Sequence, residues 1–171
     1  MSEDTSVTCQ PKGECESPAC INTLCKEMGR MVGCFRYLQS VDLSVLHRYM
    51  TVRHMEKEEY LWKEGDDCGY IAFVVNGQLK IKKGTEFKGK DVIVGVYGSG
   101  AVVGELCVFD NSPRHITAVA LEDTDLLMIT IQNLNILLEE NPQVGNHLLK
   151  GMLFSVSARL RKSMDRLASM F

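Results

Sequence analysis

Between Tyr60 and Ile131 the chain is written as six short apolar runs, YLWKEG, YIAFVV, QLKIKK, DVIVGVY, HITAVAL and DLLMITI, separated by glycine, aspartate and asparagine. Runs of this length with this punctuation are strand signals, whereas helices need longer stretches with a 3.6-residue period. An all-β core is predicted. Asn76-Gly77 stands between FVV and QLKI, and because both residue types tolerate positive φ, the pair predicts an antiparallel hairpin with a type I′ turn.

Helical periodicity flanks this core. Phe35, Leu38, Val41, Leu43, Leu46 and Met50 recur at helix-like spacing, with Ser40 or Asp42 as the N-cap. Residues 132–139 read as one short helix, and Asn141-Pro142 supplies an N-cap and a first-turn proline for a long final helix. Within it Leu149, Leu153, Val156, Leu160, Ser163, Leu167 and Met170 follow a 4-3-4-3 spacing, a heptad seam interrupted only by Ser163. A helix of about 28 residues is roughly 40 Å long, longer than a small β domain is wide. The half after Val156 is therefore expected to pair with a second copy. Gly145 and Gly151 weaken this helix by about 1 kcal/mol each relative to alanine and read as a hinge.

With 171 residues, 45% of them hydrophobic, the chain can bury one core. Three parts are expected: a cysteine-rich arm over 1–33, mobile or organised by a ligand; a β domain with short helices over 34–141; and a dimerisation helix over 142–171. A net charge of -3 and a pI near 5.8 disfavour polyanionic partners. The polar, acidic N-terminus and the lack of any long apolar run predict neither a secretory signal nor a transmembrane segment, hence a cytoplasmic protein with reduced thiols. In that reading Cys68 and Cys107 act as small apolar residues. Cys9, Cys15, Cys20, Cys25 and Cys34, spaced by five, four, four and eight residues, are dense enough to offer zinc or an iron-sulfur cluster as an alternative, although no CxxC pair is present.

The stretch GAVVGELCVFDNSPRHIT, from Gly100 to Thr117, carries the chemistry. Gly100 and Gly104 permit tight turns, and residues 105–109 read as one helical turn whose N–H groups form an anion site. Arg114 follows at a strand start, where a guanidinium can grip two phosphate oxygens. Glu105 repels phosphate but accepts a hydrogen bond from a sugar hydroxyl. One arginine with backbone donors, and no GxxxxGK[ST] lysine loop, suits a small phosphate next to a ribose. The competing reading is an ion pair between Glu105 and Arg114.

From Phe35 to about Ser169, roughly four fifths of the chain, the sequence resembles the cyclic-nucleotide-binding domains of bacterial catabolite activators, fumarate-nitrate regulators and eukaryotic kinase regulatory subunits. The resemblance rests on Glu64-Gly65-Asp66, Val75-Asn76-Gly77, Gly104-Glu105-Leu106, Pro113-Arg114 and Thr117, in that order. It implies a mainly β fold with flanking helices, a double-stranded β-helix or jelly-roll-like β-roll followed by a long C-terminal helix. It further implies a ligand-binding cassette of Gly104, Glu105, Leu106, Cys107, Pro113, Arg114, His115 and Thr117. Glu105 would hold the ribose 2′-hydroxyl and Arg114 the cyclic phosphate of cyclic AMP or cyclic GMP. The final helix would form a homodimer and cover the base.

The sequence departs mildly from the pattern at Val103, where phenylalanine is usual, and at Cys107, where a small residue is usual; His115 and Ile116 stand where small residues are usual and narrow the expected pocket floor. Hydroxyls that contact adenine in the activators are replaced near Arg159 and Leu160. Lys150, Arg159, Arg161, Lys162 and Arg166 read as cations that complement the C-terminal end of the helix dipole, with binding to a membrane surface or a partner as the alternative. The activators continue into a winged helix-turn-helix, whereas this chain ends at Phe171. Direct DNA binding is thus not expected, and a regulatory sensor module is expected whose output passes through the helix, the dimer or an unknown protein effector; the alternatives are a redox or metal sensor that uses the N-terminal cysteines on the same scaffold, and a ligand-free dimeric interaction module. His47, His54, His115 and His147 form no HxH or HExxH, and no nucleophile–base pair is visible, so enzyme chemistry is not expected.

Overall fold

The computed structural model describes residues 13–15, 20–21, 23–25, 33–87, 89–108, 110 and 112–170. Nine strands occur among them: β1 (Gly13–Cys15), β2 (Met50–Met55), β3 (Tyr60–Trp62), β4 (Tyr70–Asn76), β5 (Gln78–Gly84), β6 (Asp91–Gly98), β7 (Val102–Val103), β8 (Thr117–Ala120) and β9 (Thr124–Thr130). Helices α1 (Ser40–Leu46), α2 (Ile131–Glu140) and α3 (Pro142–Ala168) flank them. One antiparallel sheet has the order β1-β2-β9-β4-β7 and the other β3-β8-β5-β6, the two-layered β-roll with a long C-terminal helix that the sequence led us to expect.

The period-2 alternation of a strand explains the layering. Along β4, Ile71, Phe73 and Val75 face one core and Ala72 and Val74 the other. Along β9, Leu127 and Ile129 point into the first core and Leu126 and Met128 into the second. These strands read as unbroken apolar runs because both faces are covered. The first core is shared with the helices, through Leu43, Leu46, Leu134, Leu137, Val144, Leu148 and Met152. The second is closed by the other sheet, through Leu61, Trp62, Leu79, Ile81, Ala118 and Ala120.

Asn76-Gly77 does not close a hairpin. β4 pairs with β7 and β9, whereas β5 pairs with β6 and β8, so the dipeptide is the corner at which the chain changes sheets. Only Gly77 has positive φ (81°). A Cβ there would lie 2.5 Å from the Asp123 carbonyl. The glycine therefore serves close packing against the β8–β9 turn, and strand pairing is decided by burial on both faces of β4.

Segment 1–33 contributes pieces packed onto the roll. β1 pairs with β2 (Gly13↔His54, Cys15↔Val52), and Cys20, Ile21 and Cys25 are buried in the helix-side core. The N-cap of α1 is Gln39, one residue before Ser40 and three before Asp42; Asp42 sits in the first turn, where its Oδ2 accepts the Gln39 N–H at 2.9 Å. Val41 is solvent-exposed.

Asn141 and Pro142 open α3 as expected, but the Asn141 amide donates to Tyr49 Oη (2.9 Å) instead of capping the helix. Gly145 and Gly151 are packing sites, not a hinge. Gly145 abuts Leu138, and a Cβ on Gly151 would fall inside the van der Waals envelope of the Cys34 carbonyl. Gly151→Ala is expected to destabilise the protein by about 1–3 kcal/mol, because helix and backbone must separate. A melting temperature equal to wild type would show that α3 is not seated this closely.

Candidate functional site

Gly104 ends β7 with φ 83°, and residues 105–108 form a single turn closed by the Val108 N–H on the Glu105 carbonyl (3.4 Å). A Cβ at Gly104 would meet Arg114 Nη1 at 2.5 Å and Trp62 at 3.0 Å. Glycine thus lets the turn close onto the arginine. The backbone of Arg114 is itself pinned: its N–H donates to the Asp66 carbonyl and its carbonyl accepts the Gly65 N–H, both at 2.8 Å.

The Arg114 side chain is 3% exposed, an unusual position for an arginine. Nη2 donates to the Tyr70 carbonyl (2.8 Å) and Nη1 to the Gly104 carbonyl (3.3 Å), while the plane rests on Trp62 (3.8 Å) and Tyr70 (4.8 Å). Nε is buried without a hydrogen-bond partner, and among the described residues no carboxylate forms an ion pair with this guanidinium. Burial lowers its pKa below the usual arginine value, opposed by Tyr70, Asp66 and Glu105. A buried cation with an unused donor carries a desolvation cost that an anion at this point would offset.

Glu105 is also buried (9% exposed) and does not pair with Arg114. Its Oε1 accepts Arg159 Nη2 at 2.7 Å, from the middle of α3. The Arg159 guanidinium lies 4.7 Å over the Tyr97 ring. Between these groups is a cavity of about 80 Å³ lined by Glu105, Leu106, Cys107, Arg114, Tyr97 and Arg159, among others. The site therefore combines an anion donor, a carboxylate acceptor and an apolar wall, with one side formed by the last helix.

The model of the cyclic nucleotide-binding domain family matches residues 52–141, more than half of the chain. This chain belongs to that family. The domain is similar to an anaerobic regulatory protein of Bacillus subtilis, 33% identical over 132 residues that make up 76% of this chain and 53% of that protein. A lysophospholipase of Aspergillus oryzae is 37% identical over 87 residues, 50% of this chain and 6% of the enzyme. The chain thus spans about half the length of the first of these relatives and a small fraction of the second. Among solved structures, a cyclic nucleotide-binding domain from Methylobacillus flagellatus superposes with a TM-score of 0.76 at 26% identity, covering 90% of this chain and 85% of that one.

Within this cyclic nucleotide-binding domain, Gly104, Glu105, Leu106, Cys107, Arg114 and His115 border the cavity. Pro113 and Thr117 do not. Pro113 is exposed, and the Thr117 hydroxyl accepts the Glu64 N–H (2.9 Å), tying β8 to the Glu64–Asp66 loop. Glu64 in turn binds Lys83 and accepts the Gly84 N–H (2.8 Å), which hold its carboxyl below the usual glutamate range. Glu64 and Thr117 thus belong to the scaffold under Arg114. His115 is exposed, its Nε2 lying 3.0 Å from Ser112 Oγ.

Cys68 and Cys107 are joined in a disulfide, not held as separate thiols; the fold brings their Cα atoms to 6.0 Å across 39 residues. Cys25 and Cys34 are buried in the helix-side core, where burial pushes both thiols up to about 12, and Cys20 is buried beside them. Cys9 and the side chain of Cys15 lie outside the described residues. Among the described residues no group of three His, Cys, Asp or Glu side chains is placed to hold a metal, and no helix is long and apolar enough to cross a membrane.

Sequence reasoning treated Arg159 as one of several dipole-complementing cations and passed over Trp62 and Tyr97. No spacing rule links residue 159 to residue 105. The replacement of the expected hydroxyl position by arginine was the only available signal.

Proposed function

We propose that the domain binds cyclic AMP or cyclic GMP as a regulatory ligand. The cyclic phosphate would sit on the Arg114 guanidinium and the amides of the 104–108 turn, and the ribose 2′-hydroxyl would donate to Glu105. The observation carrying this reading is the buried Arg114 with its unused Nε and no carboxylate partner among the described residues. The uncharged Trp62 and Tyr70 faces orient it without neutralising it.

The cavity of about 80 Å³ is smaller than the ~300 Å³ at the lower end of ordinary ligand sites. Entry therefore requires the wall formed by α3 to move, and Arg159 on Glu105 is the bond that has to yield. Ligand and helix position are coupled by that competition. Output would pass along α3, whose exposed seam is proposed to form a homodimer read by a protein effector.

Isothermal titration with cyclic AMP and cyclic GMP tests the reading. Micromolar binding of at least one is expected, weakened about tenfold or more in Glu105→Gln because a charged acceptor is lost. Absence of binding by both nucleotides would overturn it. Arg159→Ala should bind about fivefold more tightly, since the closed state loses an ion pair worth about 1 kcal/mol. Weaker binding in that variant would make Arg159 a ligand contact and not a latch.

A further inference from the structure

The disulfide stands at the anion site. Cys107 belongs to the 104–108 turn and is 2% exposed, and its Sγ lies 3.5 Å from Arg114 Nη1. Cys68 is half-buried on the β3–β4 loop, the same loop whose Gly65 and Asp66 clamp the Arg114 backbone. The bridge thus joins the two segments that position the guanidinium. Cys20, Cys25 and Cys34 are buried in the helix-side core, against which Cys68 also packs, and none of the three lines this cavity.

We infer that Cys68–Cys107 is a redox site, taking a dithiol as its reductant, whose reduction places a thiolate on Arg114 in competition with the anionic ligand. This rests on the reading of Arg114 as the anion site. One thiolate of the dithiol attacks the more accessible Cys68 sulfur, forming a mixed disulfide and breaking the Cys68–Cys107 bond. The electron pair departs on Cys107 Sγ as a thiolate stabilised by the adjacent guanidinium, and a stabilised leaving thiolate speeds exchange. The second thiol of the reductant, having lost its proton to water, then attacks the mixed disulfide. The dithiol is oxidised to a cyclic disulfide, and Cys68 leaves as a thiolate that takes a proton from water.

After reduction the Cys107 thiolate and the buried guanidinium neutralise each other. A phosphate would have to displace that partner. Because coupling between two sites is reciprocal, a bound anionic nucleotide must also retard reduction. The neutral sulfur of the disulfide imposes no such competition, so the oxidised form is the one that binds.

The full chain, purified without reductant, is treated with dithiothreitol, and thiols are trapped and mapped by mass spectrometry over time. A Cys68–Cys107 bridge that reduces about tenfold more slowly in Arg114→Met is expected; separate thiols in air-equilibrated protein, or an unchanged rate in the folded variant, would overturn the inference. Cyclic nucleotide titrations supply the second readout. Cys68→Ser, which leaves the Cys107 thiol in place, is expected to bind about tenfold more weakly than oxidised wild type. Cys107→Ser, which removes the competing sulfur, should bind more tightly than Cys68→Ser and show no response to dithiothreitol. Equal weakening in both variants would reduce the bridge to a structural tether and overturn the competition. If no form binds a nucleotide, the ligand assignment falls, while the reduction rates still decide the redox site.

Discussion

Arg114→Gln is expected to abolish cyclic nucleotide binding, with a loss of about a hundredfold or more. Removing one partner of a buried, hydrogen-bonded charge pair costs roughly 2–5 kcal/mol, and the 104–108 turn offers only backbone amides in its place. Arg114→Lys keeps the charge but not the planar fork, so a partial loss is expected, about tenfold or more. The arginine also supports the fold, through the Tyr70 and Gly104 carbonyls and its stacking on Trp62. Its replacement should therefore lower the melting temperature by a few degrees, on the order of 2–4 °C per kcal/mol for a chain of this size. Calorimetric titration beside a melting curve separates the two effects. A folded Arg114→Gln protein that binds cyclic nucleotide like wild type would remove the guanidinium from the site.

The second large effect concerns the distal half of α3. The buried stripe of α3, Val144, Leu148 and Met152, is confined to its first half, and every residue from Leu160 to Met170 is exposed. Leu160 and Leu167, one heptad apart, are 57% and 60% exposed, and Leu153 continues the line at 66%. Burying each leucine against a second helix is worth about 1.5–3 kcal/mol, enough together to hold a dimer at micromolar concentration. The double variant Leu160→Glu with Leu167→Glu is expected to sediment as a monomer under conditions where wild type is a dimer. Its melting curve should change only through the lost association, because neither side chain belongs to either buried core. A wild-type monomer at high micromolar concentration, or a double variant that stays dimeric, would reject the seam as the interface.

Much of this molecule is legible from local spacing. Short apolar runs broken by glycine, aspartate and asparagine mark the strands, helical and heptad spacing marks the helices and the exposed leucine line on α3, and Gly104-Glu105-Leu106 with Arg114 marks two segments that border one cavity. Such patterns survive reading in one dimension because they reflect neighbours within a few residues. They also specified that Arg114 and Glu105 would lie at one site, since only a turn and a short loop separate them.

Tertiary structure decided the partners. Asn76-Gly77 carries the local signature of a hairpin, yet β4 is buried on both faces and pairs with β7 and β9, so the turn became a corner between sheets. Gly151 carries the local signature of a weak point in α3, yet the Cys34 backbone packs directly against it. Cys68 meets Cys107 across 39 residues, and Arg159 reaches Glu105 across 54. Each of these is a closure between distant segments, set by how two sheets and a helix pack, and no local pattern in the chain encodes it. The sequence by itself thus determined the elements and the composition of the proposed anion site; packing alone decided which cation pairs with Glu105 and which sulfur lies against Arg114.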